Sequence, residues 1–226
     1  MRSKQKLFLP FVITTIILST ALPVAAQSYF SKWPAGSSPQ EVGKRVAENF
    51  VARKLEVEEG KRKSVIYPEA CGWYGSLTVA QLTNDQDLQR RLVAKFDPLL
   101  GEHAAWISPD AHVDMRVIGI IPLEIYLQTK QQKYLDLGRG LADKQWDKTT
   151  PDGITAEARY WIDDMFMIPA VQVQAFRATN DRKYLDRAAR TRGDIREPRG
   201  PAVLSRQVPG RYDRGQTAHR VLPAAR

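Results

Sequence analysis

Thr129-Lys-Gln-Gln-Lys133-Tyr134-Leu135-Asp136 returns 50 residues later as Thr179-Asn-Asp-Arg-Lys183-Tyr184-Leu185-Asp186. A weaker copy, Thr83-Asn-Asp-Gln-Asp-Leu88, precedes the first by 46 residues. In each copy an apolar segment ends, a short polar turn follows, and an amphipathic segment begins. A repeat of this length marks helical hairpins stacked on one another.

The segments on either side of these turns are of two kinds. Val42, Val46 and Phe50 recur at i, i+4, i+8, as do Leu88, Leu92 and Phe96, while Tyr134, Leu137 and Leu141 mark a third such stripe. Each is one face of a helix. Val117 to Leu127 and Met165 to Phe176 are apolar nearly all round, so those helices must be covered on most sides. Buried helices inside and amphipathic helices outside predict an all-α fold of the α/α-toroid type. An open solenoid resembling a tetratricopeptide array is the alternative. The longer repeat and the missing small-residue signature of such arrays stand against it.

Arg2, Lys4 and Lys6 precede an apolar run from Leu7 to Leu18, and Val24-Ala-Ala26 supplies small residues at −3 and −1. Residues 1–26 therefore read as a signal peptide cleaved after Ala26, and the chain as exported, to the periplasm or outside the cell. The apolar run is short for a membrane anchor and is interrupted by Pro10 and Pro23, so no stable membrane association is expected after cleavage. The single Cys71 gives no intramolecular disulfide and is expected to be a packed, inert thiol.

The net charge of +9 is unevenly placed. Residues 1–26 carry three basic and no acidic side chains, and residues 191–226 carry eight Arg against three acids, leaving 27–190 at +1. A neutral body without a basic stripe excludes nucleic acid as a partner. From Thr191 onward Lys disappears, Pro198, Pro201, Pro209 and Pro223 accumulate, and apolar periodicity stops. Residues 191–226 read either as the product of a shifted reading frame or as a natural basic tail. Disorder is expected in both cases, because little apolar surface is available to offset chain entropy.

Two acidic clusters stand just before the two apolar helices, His112-Val-Asp114-Met-Arg116 and Arg159-Tyr-Trp161-Ile-Asp163-Asp164. Asp114 and Asp164 are 50 residues apart, the same offset as the turns. In a stack of hairpins the starts of successive inner helices lie side by side, so these carboxylates are expected to face a common pocket. An Asp at a helix start is also a favoured N-cap, contributing about 1 kcal/mol. The equal phase of the two clusters, each with a ring residue two places before an Asp, points to a site. One of Asp163 and Asp164 is expected to cap the helix and the other to be free to react. No His, Cys and carboxylate spacing suggests a metal, and no Gly-rich strand-to-helix loop suggests a nucleotide; no cofactor is expected.

Trp161-Ile-Asp-Asp-Met-Phe-Met-Ile-Pro169, followed by Ala178-Thr-Asn-Asp-Arg-Lys-Tyr-Leu185, resembles the signature stretch of the unsaturated glucuronyl and rhamnogalacturonyl hydrolases, glycoside hydrolase families 88 and 105. His112-Val-Asp114 is similar to their upstream acidic position, and Tyr67 to Gly75 to the entrance of their first inner helix. The resemblance runs from about Pro39 to Arg190 and covers about the amino-terminal half of a family domain, an (α/α)6 barrel. It implies that residues 27–190 form an incomplete (α/α)6 toroid with inner helices exposed along one edge. Such a chain is expected to be poorly stable and weakly active, or inactive.

The implied reaction removes a 4,5-unsaturated uronic acid from the non-reducing end of lyase-generated oligosaccharides of pectic or rhamnogalacturonan type. The family's acid protonates C4 of the vinyl ether, water adds at C5, and the hemiketal falls apart. No direct displacement at C1 occurs, so retaining or inverting carboxylate spacing does not apply. By resemblance Asp163 is the general acid/base and Asp114 the second carboxylate, with Trp161, His112 and Tyr67 lining the sugar subsite. Two other readings stay open: another α/α-toroid carbohydrate enzyme such as a sugar epimerase, or a non-catalytic helical repeat that binds a partner. The first usually places His at its cavity, and only three His occur here.

Overall fold

The computed structural model describes residues 32–196, with side chains through Thr191. The segment expected to be a signal peptide (1–26) and nearly all of the Arg- and Pro-rich tail (191–226) lie outside the described residues. The elements are α1 (Pro39–Ala52), α2 (Tyr67–Leu82), α3 (Gln86–Phe96), the short α4 (Val113–Arg116), α5 (Ile120–Thr129), α6 (Gln132–Lys144), α7 (Asp164–Thr179) and α8 (Arg182–Arg196). Helix α8 thus continues past residue 190. Among the described residues there is no strand, only an isolated bridge between Thr149 and Thr155, and no helix is long and apolar enough to cross a membrane. The fold is all-α.

The repeated turn has one chemistry in all three copies. The hydroxyls of Thr83, Thr129 and Thr179 donate to the carbonyls of Val79, Ile125 and Ala175 at 2.7, 2.8 and 2.7 Å. The next residue in each copy, Asn84, Lys130 or Asn180, takes a left-handed φ of 53, 59 or 57°. That conformation ends a helix and turns the chain back on itself. Hairpins α2–α3, α5–α6 and α7–α8 result, each antiparallel because its turn is short. Helices α2, α5 and α7 pack side by side as one layer, so their N-termini share one end of the protein. Helices α1, α3, α6 and α8 form the second layer.

The second layer is laced laterally by a recurring pair. Lys133 Nζ and Tyr134 Oη donate to Asp97, which directly follows α3, at 2.8 and 2.6 Å. Lys183 and Arg187 on α8 meet Asp143 on α6 at 3.1 and 3.2 Å. The repeated Lys therefore docks α6 and α8 each on an acid of, or just after, the preceding outer helix, while Tyr184 Oη, unlike Tyr134 Oη, has no hydrogen-bond partner. Between the layers Trp73, wholly buried, meets Phe50 and Phe96 edge-on at 5.4 Å each. Its indole N–H donates to the Leu92 carbonyl at 3.0 Å. Burying each such side chain contributes about 1.5–3 kcal/mol.

Two expectations need correction. Val42 and Val46 do not form the buried stripe of α1; they are exposed, and Ala47 and Phe50 are buried instead. Gly43, against the Val79 side chain, lets α1 approach α2 so closely that a Cβ there would stand 3.2 Å from it. Small residues rather than branched ones carry that contact. Cys71 is exposed rather than packed, though burial of its sulfur raises the thiol pKa and keeps it protonated. Leu88, Leu92, Phe96, Tyr134 and Leu141 are buried as expected, whereas Leu137 is half-buried and Gly138 is the buried residue beside it.

The lacing acids make stability pH-dependent. Burial alone raises the carboxyl of Asp97, and the hydrogen bonds from Lys133 and then Tyr134 outweigh it, so its pKa is lowered. For Asp143 burial is likewise outweighed, by Lys183 and Arg187. A lowered acid contributes stability above its ordinary value of 3.8 that is lost as pH falls through the lowered value. Urea midpoints measured from pH 5 downward should therefore fall steeply in the parent and less steeply in Asp97→Asn and Asp143→Asn. Identical slopes would show that these pairs carry no linkage.

Candidate active site

The segment between α6 and α7 positions the acids. Thr155 Oγ1 donates to the Gln145 carbonyl and accepts from the Glu157 N–H, and Trp146 Nε1 donates to the Gly153 carbonyl. Glu157, buried, accepts from Arg116 Nε at 3.0 Å. Arg116 also donates to the Asp110 carbonyl. The segment is thereby tied to α4, the helical turn that carries Asp114. Beyond it, Tyr160 holds a left-handed φ of 63°. A non-glycine residue in that region stores strain, a feature that clusters at functional sites. Here it doubles the chain back so that the Arg159 guanidinium lies 4.6 Å from the Trp161 ring centre.

Three carboxylates converge on Arg159. Asp164, wholly buried, accepts from Arg159 Nη2 at 2.7 Å, Nε at 3.0 Å and the Arg159 backbone N–H at 2.6 Å, and from the Trp161 N–H at 3.3 Å. Asp163 Oδ2 accepts from Nη2 at 2.9 Å. Asp114 Oδ1 stands 3.2 Å from Nη1, yet it is covered and receives no aligned hydrogen bond. Burial lowers the Arg159 pKa, but the hydrogen bond and charge of Asp164, then the charges of Asp114 and Asp163, outweigh it and the net shift is upward. The guanidinium stays charged. Asp163 and Asp114 keep 41% and 28% of their side-chain surface exposed, so a ligand can reach both.

The expected site residues divide accordingly. Asp114 and Asp163 both reach Arg159, whereas Asp164, the acid at the 50-residue offset from Asp114, is wholly buried and does not face a common pocket with it. Trp161 is exposed beside them, with Ile162 and Phe166 also in solvent. His112 is the N-cap of α4, its Nδ1 accepting from the Asp114 N–H at 3.2 Å, and its imidazole lies 3.8 Å from Asp114 Oδ2. Tyr67 begins α2 at the same end of the layer and is exposed, but makes no hydrogen bond with the acids. Neither Asp163 nor Asp164 caps α7 in the expected way. Asp163 holds the N-cap place without a side-chain bond, and Asp164 turns back to the N–H groups of residues 159 and 161. Arg159, Arg116 and Glu157 were not singled out as site residues, because they lie in segments without periodicity.

Of these acids Asp163 and Asp114 are partly exposed and Asp164 is closed off. A cavity of about 370 Å³ opens at the opposite, turn-bearing end, lined by Gln81, Asn84, Gln89, Gln128 and their neighbours. It offers mainly amides, and its acid, Asp85, is occupied in capping α3 and pairing with Lys44. The acidic end therefore has the better claim to chemistry. Among the described residues no group of three His, Cys, Asp or Glu side chains is placed to hold a metal ion.

Residues 42–225 match the model of Glycosyl Hydrolase Family 88. The chain belongs to that family. Membership implies glycoside hydrolase activity on unsaturated uronic acid substrates, and hence a carbohydrate substrate. The matched span includes both acidic clusters and all three turn repeats, and extends beyond residue 190. Comparison with curated proteins and with solved structures gave no match.

Proposed function

We propose that this glycoside hydrolase releases a 4,5-unsaturated uronic acid from the non-reducing end of lyase-generated oligosaccharides, of pectic or rhamnogalacturonan type, by hydrating its vinyl ether. The observation that carries the reading is the convergence of two partly exposed carboxylates from successive repeats, Asp114 and Asp163, on one guanidinium beside an exposed indole. We read the stacked hairpins as belonging to an (α/α)6 toroid and the protein as exported.

Asp163 is the acid/base. Its Oδ2 is engaged by Arg159, so Oδ1, which accepts no hydrogen bond among the described residues, is the oxygen to carry a proton. Donation to C4 breaks the C4–C5 π bond and leaves an oxocarbenium ion at C5. Water adds there and returns a proton to Asp163. The hemiketal then opens: the bond from C5 to the ring oxygen breaks, the C5 hydroxyl proton passes to that oxygen, C5 becomes a ketone, and the resulting hemiacetal at C1 expels the next sugar as an alcohol, leaving an aldehyde at C1. Asp114, fixed by His112 at the start of α4, supplies negative charge to the cationic transition state. Trp161 offers an aromatic face for the pyranose.

Incubation with an unsaturated disaccharide at high enzyme concentration, followed at the absorbance of the conjugated double bond, tests the reading. Slow loss of absorbance that depends on Asp163 is expected; an unchanged absorbance would remove it. Trp161→Ala should raise KM about fivefold, the loss of roughly 1 kcal/mol of ring contact, while Trp161→Phe keeps most of the binding. Equal KM values for the parent and Trp161→Ala would take the indole out of the subsite.

A further inference from the structure

Arg159 makes three unequal attachments. To Asp164 it is bound by Nε, Nη2 and its own backbone N–H, with the carboxylate entirely out of solvent. Asp163 receives one bond from the shared Nη2. Asp114 receives only the charge of Nη1, without hydrogen-bond alignment. A planar fork held this firmly on one side presents a fixed edge on the other. The two attachments on that edge are the ones a ligand can loosen.

The chain before Arg159 is anchored in the opposite sense. Arg116, two residues after Asp114, reaches Glu157, two residues before Arg159. The helix carrying Asp114 thus grips the segment carrying Arg159, and that segment grips Asp114, Asp163 and Asp164 in return. Neither acid can shift against the other without breaking a contact to Arg159.

We propose that Arg159 is a positioning residue for the hydration reaction: anchored on buried Asp164, it sets the separation of Asp114 and Asp163 and engages Asp163 Oδ2 so that Oδ1 alone serves the sugar. The inference rests on the reading of this end as a uronyl hydrolase site. It assigns Asp164 to the support of Arg159, not to chemistry. Because the fork and not the bare charge does the positioning, a lysine cannot replace it.

The test compares Arg159→Lys and Arg159→Met with the parent chain. The readouts are kcat and KM for an unsaturated disaccharide, binding by tryptophan quenching against a Trp161→Phe blank, and folding by near-UV circular dichroism. A kcat lowered by up to about a hundredfold in both variants, with KM within about threefold, is expected, since displacement of a reacting group by about 1 Å costs that much. If Arg159→Met does not fold, Arg159→Lys decides alone. A folded Arg159→Lys with parental kcat overturns the inference and leaves the hydrolase reading standing. A raised KM with unchanged kcat also overturns it, making Arg159 a substrate-binding group. A parent chain that consumes no unsaturated sugar overturns both.

Discussion

Asp163→Asn is expected to lower turnover of an unsaturated disaccharide by about 10²–10⁴-fold, the contribution of a positioned acid/base, with little change in melting temperature. The side chain is 41% exposed and holds a single hydrogen bond from Arg159 Nη2. The Asn carbonyl oxygen can still accept that bond, so the fold loses almost nothing while the acidic proton is gone. The neighbouring substitution sharpens the result. Asp164→Asn places an amide nitrogen among the N–H donors of Arg159 and Trp161 in a site closed to solvent. An unsatisfied buried polar group costs about 1–3 kcal/mol, and more when charge is involved, so Asp164→Asn should unfold early. Two adjacent acids then give opposite phenotypes: one loses chemistry and keeps stability, the other loses stability first. Asp163→Asn with parental turnover, or with the same loss of stability as Asp164→Asn, would assign the proton to another group.

The turn repeat carries most of what the sequence reveals about the fold. A threonine that bonds back to the carbonyl four residues earlier, followed by a residue able to adopt positive φ, is a local instruction that needs no distant partner. Its recurrence shows that the helices pair and that successive apolar helices run the same way. From that alone the two acidic clusters had to emerge at one end. What stayed hidden depends on contacts distant in sequence. Arg116 and Glu157 are 41 residues apart, and nothing in either local pattern announces that they meet. Asp163 and Asp164 look equivalent as letters; only the backward turn at Tyr160 decides which is closed off and which is open. Val46 misleads for a related reason, since hydrophobic spacing cannot show that Gly43 and Ala47 permit a closer helix contact than the valines would.

Arg116→Met is expected to cost about 3–5 kcal/mol at neutral pH, the penalty for stranding one charge of a buried pair. The two side chains retain only 3% and 5% of their surface, and Glu157 Oε2 already lacks a hydrogen-bond partner. Burial pushes the Glu157 carboxyl up, and Arg116 pulls it only partly back, so its folded pKa exceeds the ordinary 4.5. A raised acid contributes stability that is fully present below 4.5 and lost as pH rises through the folded value. Without Arg116 the rise is larger, so the gap between variant and parent should widen from pH 4 to pH 7. Arg116→Met combined with Glu157→Leu removes both charges and should recover most of the loss. The same double variant separates stability from positioning. With the tie between α4 and the segment before α7 replaced by apolar contact, Asp114 and Asp163 are no longer held in register by a directional bond, and turnover should stay low although the fold is restored. A gap independent of pH would mean that Glu157 is not the stranded charge, and a double variant with full turnover would mean that packing alone keeps the two acids together.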